Sequence, residues 1–244
     1  MLTAIRHLDG QKVGAWEASR SDKPFLCFCC QQIVTLRKGG IRAPHFAHQP
    51  PVTCEYGAGE SEQHRHCKIA IYESLIAHPR VTKCEIERNL GSVRPDVSAY
   101  ISGVPVAIEV QVSNLSLEKI IYRTTEYARK GIYVLWLPLY HRSLTQQLYN
   151  PRLWEWWLHA AYFGRVYYWL EGTNVLPIHF RDYYLNVRGR TRDYQQLSRR
   201  KVPIAGHSLS LVDHFKPVDR EAWSSKQLII PAAKLMSDLR SRWY

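Results

Sequence analysis

Two carboxylates on either side of a tight turn form the segment of this sequence best suited to catalysis. The dipeptide Ser102-Gly103 separates two β-rich runs and is typical of a two-residue hairpin turn. In that register Asp96 lies opposite Glu109, on the face away from the apolar pairs. Those pairs are Val97 with Ile108, Ala99 with Val106, and Ile101 with Val104. Directly opposed like charges are destabilising, so this spacing predicts a bound Mg²⁺ or Mn²⁺, which prefer oxygen ligands.

Upstream of the hairpin, Glu60, His64 and Lys68 recur four positions apart. Residues at this spacing share one face of a helix, and we predict a helix near residues 60–77. Such a face would bring a third carboxylate and a basic group to the metal site. An exposed ladder of charged side chains is the alternative that the spacing leaves open.

A second metal site is predicted near the start of the chain. Cys27 and Cys30 have the CxxC spacing that lets two thiolates bind one tetrahedral ion. His45 and His48 follow and complete the predicted Zn²⁺ ligand set, with Cys54 in place of one histidine as the alternative. We expect a structural role for this zinc, because so short a segment has too little core to fold alone.

These side chains require a sheet and flanking helices to position them. A turn at 38–40 predicts a short hairpin beside the CxxC. Ser116 is predicted to cap a helix that ends before Gly131, and 132–137 reads as a buried parallel strand. The order helix, strand, hairpin, helix and strand predicts an α/β (α+β) fold with a mixed sheet flanked by helices.

The order of these motifs resembles the competence protein CoiA-like family. The motifs are CxxC with HFAH, then ESEQHRHCK, then RPD with IEVQVS. Members of that family join a small zinc-finger-like N-terminal region to a PD-(D/E)xK nuclease core of the restriction-endonuclease-like type. The resemblance covers roughly residues 10–140. It implies that Glu60 is the carboxylate of the helix and that Asp96 and Glu109 are the sheet ligands.

The resemblance also implies a mechanism, which is metal-assisted hydrolysis of a phosphodiester. The carbonyl of Val110 would be a further Mg²⁺ or Mn²⁺ ligand, and Arg123 or Tyr127 would contact the phosphate. Gln111 stands where the wider superfamily usually has lysine, and glutamine cannot supply a positive charge. Lys68 or His64 are the candidates to supply that charge.

A formal net charge of +12 predicts a polyanionic partner, and we expect nucleic acid, with DNA favoured over RNA. Residues 181–201 interleave arginines with tyrosines, which favours phosphate contacts and base stacking. A solvated basic loop is the alternative. The predicted nucleic-acid contacts are Arg188, Arg190, Arg192, Arg199, Arg200 and Lys201.

The predicted organisation is a zinc-binding module at 1–57, a nuclease core at 58–140 and an extension at 141–244. Within the extension we expect a helix capped by Asn150, a strand after Gly164 and a terminal helix from Pro231. The sequence leaves open whether this extension elaborates the core or forms a separate domain. No run approaches the ~18 apolar residues of a membrane span, and the first residues lack the layout of a signal peptide. We therefore expect a soluble cytoplasmic protein whose cysteines are thiols or metal ligands.

The sequence thus predicts a metal-dependent DNA nuclease that acts in DNA uptake, recombination or defence against foreign DNA. A catalytically inactive, zinc-containing DNA-binding module is the alternative, and the glutamine at 111 is its best support. An RNase is a further alternative, because no motif reads the 2′-hydroxyl.

Overall fold

The computed structural model of the protein describes residues 1–54, 60–111, 116–190, 192–221 and 229–235. Within these ranges it has a mixed α+β architecture, as predicted, with three α-helices and several β-sheets. A small core that includes Phe25 and Phe46 lies in the N-terminal part of the chain. A larger core surrounds the central sheet and includes Ile108 and Trp136.

The N-terminal sheet is antiparallel and has the strand order β2-β1-β3-β4-β5. Its strands are β1 (Thr3–Arg6), β2 (Lys12–Gly14), β3 (Phe25–Leu26), β4 (Ile33–Arg37) and β5 (His45–His48). Strands β4 and β5 form the hairpin predicted around the turn at 38–40, with Val34 opposite His48. The rings of Phe25 and Phe46 pack 5.0 Å apart and join β3 to β5.

The central sheet has six strands in the order β16-β17-β9-β8-β7-β6. They are β6 (Val81–Ile86), β7 (Val97–Ile101), β8 (Val104–Gln111), β9 (Tyr133–Pro138), β16 (Phe215–Glu221) and β17 (Ile229–Leu235). Strand β9 runs parallel to β8 from Val106↔Tyr133 to Gln111↔Pro138, which confirms the predicted parallel partner. Both strands are almost entirely buried, as expected for the middle of such a sheet.

Two helices flank the central sheet near the predicted positions. Helix α1 (Glu62–Ile76) begins after Ser61, whose hydroxyl accepts a hydrogen bond from the backbone N–H of His64. Glu60 therefore precedes the helix, and the predicted helical ladder begins one residue before its cap. Helix α2 (Leu117–Arg129) has the predicted cap at Ser116, and Gly131 follows its end with a φ of 65°.

The third helix, α3 (Leu153–Ala161), begins later than predicted, because its N-cap is Arg152 and not Asn150. The carboxylate of Glu155 accepts a hydrogen bond from the backbone N–H of Arg152 at 2.7 Å. This bond stabilises the first turn of the helix with Arg152 as its N-cap. Beyond α3 lie a third sheet and a separate two-stranded ribbon. The third sheet contains β10 (Val166–Glu171), β11 (Asn174–Arg181), β14 (Val202–Ala205) and β15 (Leu209–Ser210), and the ribbon contains β12 (Tyr184–Val187) and β13 (Tyr194–Leu197).

The prediction of a terminal helix from Pro231 is wrong for the residues that the structure describes. Strand β17 pairs with β16 over seven residues and runs parallel to β9 at Ala232↔Val134. Pairing with the sheet overrides the helical propensity of this alanine-containing segment. Residues 236–244 of that prediction lie outside the described residues.

Candidate active site and metal centre

The β7–β8 hairpin has the register that the sequence predicted. Its turn residues, Ser102 and Gly103, have φ values of 50° and 81°, as a two-residue type I′ turn requires. All three predicted apolar pairs are present, with Val97 opposite Ile108 at the end nearest the candidate site. Asp96 immediately precedes β7 and Glu109 follows Ile108 on β8, so both lie next to the Val97↔Ile108 pair.

Asp96 lies at the centre of a network of donors and cations. Its Oδ2 accepts a hydrogen bond from the backbone N–H of Val110 at 2.9 Å and lies 3.0 Å from Nε2 of His64. Its Oδ1 lies 3.6 Å from Nζ of Lys68. Burial alone would raise the pKa of the Asp96 carboxyl, but the charges of His64 and Lys68 outweigh it and hold the pKa well below its usual range. Asp96 is thus an ionised carboxylate in a nearly enclosed position.

Glu109 is more deeply buried, with a relative exposure of 1%. Its Oε1 accepts hydrogen bonds from the guanidinium of Arg123 and from the hydroxyl of Tyr127, both on α2. Burial raises the pKa of Glu109 to about 7, although the charge of Arg123 opposes this shift. Arg123 and Tyr127 hold this carboxylate, and their contact with phosphate stays a prediction.

The carboxylate that joins Asp96 is Glu60 rather than Glu109. Glu60, His64 and Asp96 each offer a ligand atom, and these atoms lie within 4.8 Å of one another. Nδ1 of His64 is 3.3 Å from Oε1 of Glu60, and the Lys68 ammonium contacts the same oxygen. Glu109 is held by α2 through Oε1, and its role beside Asp96 as a metal-binding carboxylate stays a prediction.

Glu87 is a member of this network that the sequence analysis missed. It directly follows β6, is almost fully buried, and accepts a hydrogen bond from Nζ of Lys68 at 2.6 Å. Burial alone would lower the pKa of Lys68, but the charges of Glu87, Asp96 and Glu60 raise it, so the ammonium stays protonated. Backbone N–H groups of Leu2 and Thr3 also donate to Glu87, at 3.0 and 3.2 Å. No local motif marks Glu87, because its partners lie far away in sequence.

The N-terminal cysteines and one histidine form a second cluster. Cys27, Cys30, His48 and Cys54 offer ligand atoms that lie within 4.8 Å of one another. Sγ of Cys27 is 3.9 Å from Sγ of Cys54, and Sγ of Cys30 is 3.3 Å from Nε2 of His48. Tetrahedral Zn²⁺ with Zn–S bonds of about 2.3 Å needs sulfurs roughly 3.8 Å apart. The four side chains fit such an ion.

His45 lies outside this cluster, and Cys54, the predicted alternative, takes its place. Because His45 and His48 are three residues apart on strand β5, their side chains point to opposite faces of the sheet. Nδ1 of His45 instead lies 2.9 Å from the carbonyl of Ala43. The HFAH segment is a strand, so the two histidines predicted as ligands face opposite sides of the sheet.

The arginine-rich segment forms the β12–β13 ribbon and its connecting loop. Tyr184 pairs with Leu197 and Val187 pairs with Tyr194, and most side chains of both strands are exposed. The predicted contact residues that lie exposed on this ribbon or at its base are Arg188, Arg190, Arg192, Arg199 and Arg200. Lys201 differs, because it is buried with Nζ 2.6 Å from Asp182 and 5.2 Å from the ring centre of Trp156. Its charge pairs with Asp182 at the base of the ribbon and is not exposed to a ligand.

Residues 60–161 match the family model described as "Competence protein CoiA, nuclease-like domain". Residues 8–57 match the model described as "Competence protein CoiA, N-terminal domain". Together the two matches cover more than half of the chain. The chain belongs to the CoiA family. The cluster that contains Glu60 lies in the segment matched by the nuclease-like model. The cluster that contains Cys27 lies in the segment matched by the N-terminal model.

A curated CoiA relative is also similar to this chain. It is "Competence protein CoiA" from Bacillus subtilis (strain 168), with 29% identity over 119 residues. That match covers 48% of this chain and 32% of the relative, so the similarity spans about a third of the relative's length. No solved structure matches this CoiA-family chain. Among its described helices, none has both the length and the apolar character needed to cross a bilayer.

Proposed function

We propose that this CoiA-family protein is a metal-dependent nuclease of the PD-(D/E)xK type that hydrolyses phosphodiester bonds of DNA. The observation that carries the proposal is the convergence of ligand atoms from Glu60, His64 and Asp96 within 4.8 Å. The ammonium of Lys68 lies beside them, 3.6 Å from Asp96. The match to a nuclease-like domain supports the same chemistry.

The donor set fits a divalent cation and favours Mn²⁺ over Mg²⁺. Carboxylate oxygens suit either ion, whereas the imidazole of His64 suits transition metals better than it suits Mg²⁺. Such an ion would polarise the phosphate and lower the pKa of a bound water. Both hydrogen bonds to Glu109 end on Oε1, so the proposal assigns Oε2 to the metal. A strand residue directs its N–H and carbonyl to the same side, so the carbonyl of Val110 faces Asp96 and stays a proposed ligand.

Lys68 is proposed to supply the positive charge that Gln111 lacks. Its ammonium is buried among three carboxylates and stays protonated, so it cannot act as a general base. It would hold Glu60 and Asp96 in place and offset the negative charge that a phosphate brings to the site. In this role the lysine side chain comes from α1, whereas the lysine of the wider superfamily would come from β8, at the position of Gln111.

The proposed zinc is structural and would tie the loop at Cys54 to the β3–β4 turn. Four protein ligands leave no open position for a substrate or water, which distinguishes a structural site from a catalytic one. The ribbon arginines are proposed to bind nucleic-acid phosphates, in keeping with the net charge of +12. A role in DNA uptake is proposed from the relative's name, "Competence protein CoiA", and recombination or defence against foreign DNA would use the same chemistry.

A second candidate function is DNA binding without cleavage. Two features favour this function. Arg123 and Tyr127 donate hydrogen bonds to Glu109, and Gln111 stands in place of lysine. A substrate panel separates the two functions. Purified protein would be incubated with matched single- and double-stranded DNA and RNA, with Mn²⁺, with Mg²⁺ or with neither. Cleavage of DNA with Mn²⁺ supports the nuclease, cleavage of RNA alone indicates an RNase, and binding without any cleavage supports the inactive module.

A further inference from the structure

Two adjoining cavities form a groove beside the candidate active site. The larger has a volume of about 520 Å³ and the smaller about 310 Å³. They share Gln63, Leu139 and Tyr140, so the groove is continuous across the segment that follows β9. A volume of this size lies in the range of about 300–1,000 Å³ typical of sites that enclose a small organic group.

Two residues that are close in sequence to the candidate site line the groove. Gln63 immediately precedes His64 on α1, and Gln111 follows Glu109 by two residues on β8. Both glutamines line the larger cavity. Side chains two apart on a strand lie on the same face, so Gln111 continues the face that carries Glu109. A polymer held at the cluster would therefore continue into this groove.

The walls of the groove combine aromatic rings with polar groups, and the exposed carboxylate of Glu171 lines the smaller cavity. Tyr140 and His141 are half-buried and line the larger cavity. The His141 ring packs 5.6 Å from the ring of Tyr149 and 5.9 Å, edge-on, from that of Tyr168. Asn150 and Arg152 are exposed at the same rim. Aromatic faces, amides and one guanidinium are the groups that bind an unstacked base and its phosphate.

The floor of the groove contains a buried carboxylate, Glu155, that accepts several hydrogen bonds. Glu155 is fully buried and accepts hydrogen bonds from the hydroxyls of Tyr149 and Tyr168 and from the backbone of Arg152. It therefore fixes the positions of both tyrosine rings. The buried indole Nε1 of Trp154, which also lines the cavity, has no hydrogen-bond partner in the described part of the chain.

We propose that this groove binds one or two unpaired nucleotides of the substrate strand, so that the enzyme acts on single-stranded nucleic acid or at an unpaired position. The inference rests on the proposed function, because it extends the path of the strand from the same site. Bases inside a duplex expose their edges, whereas an aromatic wall needs their faces, which only unpaired bases present.

The test measures binding of a fluorescein-labelled 15-nucleotide oligo-dT and of a blunt hairpin duplex, with Ca²⁺ replacing the catalytic metal and no chelator present. Tyr140→Leu removes a stacking face, and Arg152→Gln removes the rim charge. Arg142→Gln is the matched control, because Arg142 is exposed on the neighbouring turn and does not line the groove. Thermal melting of each variant checks that the fold is intact.

Either groove variant is expected to weaken binding of the single strand about 5-fold or more. Duplex binding, and the control with either probe, are expected to change less than about 2-fold. Equal single-strand affinity in wild type and in folded Tyr140→Leu and Arg152→Gln would overturn the proposal. Photocrosslinking of a 5-iododeoxyuridine single strand gives a second readout. Adducts on the peptide that contains Tyr140 and His141 are expected, and adducts confined to the β12–β13 ribbon would contradict the groove.

The outcome also separates this inference from the proposed nuclease activity. If wild type binds the single strand through Tyr140 but never cleaves it with Mn²⁺, the groove stands and the nuclease proposal fails. If wild type cleaves while the groove variants bind normally, the nuclease stands and the groove is rejected.

Discussion

The ammonium of Lys68 lies 2.6 Å from Oε1 of Glu87, and both side chains are almost fully buried. The same carboxylate accepts the backbone N–H groups of Leu2 and Thr3 and the hydroxyl of Thr3. Glu87 therefore joins the N-terminal sheet to α1 through one side chain. The position of Lys68 beside Asp96 depends on this contact between distant parts of the chain.

Replacing Glu87 with glutamine is expected to destabilise the protein by about 3 kcal/mol, because a buried ammonium loses one partner and an amide NH₂ meets backbone donors. Urea unfolding followed by circular dichroism measures the loss. Glu85→Gln is the control, because Glu85 is partly exposed and pairs with Lys12, so its loss should cost less than about 1 kcal/mol. Equal stability of the two variants would show that Glu87 is not a structural junction.

Activity is expected to be higher with Mn²⁺ than with Mg²⁺, because an imidazole accompanies the carboxylates. His64→Asn should reduce this difference by removing the nitrogen ligand. Initial cleavage rates over a titration of each metal provide the measurement. His66→Asn, on an exposed position of the same helix, should keep the wild-type preference. A preference for Mg²⁺ in wild type would argue against His64 as a ligand.

Freshly purified protein is expected to contain about one zinc per chain. Cys54→Ser should lose most of this zinc, whereas His45→Gln should retain it, because the His45 side chain faces away from the cluster. Inductively coupled plasma mass spectrometry on both variants measures the ratio. Zinc lost from His45→Gln and kept by Cys54→Ser would reverse the assignment of the ligands.

The triple variant Arg188→Gln, Arg190→Gln, Arg192→Gln is expected to lower DNA affinity and to reduce the slope of log K against log salt by about 2 to 3. Fluorescence anisotropy between low and moderate salt gives this slope. Lys201→Gln should differ, because its buried ion pair with Asp182 supports the fold. We expect it to lower the melting temperature and to leave the salt slope unchanged. An unchanged slope in the triple variant would remove the ribbon from the interface.

The sequence predicted the hairpin correctly because its information is local. Ser102-Gly103 fixes the turn, and alternation of apolar residues fixes the face, so the pairing of Val97 with Ile108 follows directly. The cap at Ser116 and the glycine at 131 are equally local signals. The positions of Asp96 and Glu109 could be predicted for the same reason.

The remaining features depend on contacts between distant segments. The hydrogen bonds of Glu87 come in part from the segment at β1, which lies more than eighty residues earlier in the chain. The hydrogen bonds from Arg123 and Tyr127 to Glu109 depend on how α2 packs on the sheet. The choice between His45 and Cys54 followed from the strand conformation of β5, which composition did not reveal. The division at residues 57 and 140 stays a prediction.

The most direct test of the nuclease proposal is single-turnover cleavage of DNA with Mn²⁺ by wild type, Asp96→Asn and Glu73→Gln. Asparagine keeps the shape of Asp96 but removes the ionised ligand, and Glu73 is an exposed carboxylate on α1 outside the site. The expected result is cleavage by wild type and by Glu73→Gln, with a loss of about 100-fold or more in folded Asp96→Asn. Equal cleavage by wild type and Asp96→Asn would contradict the central claim.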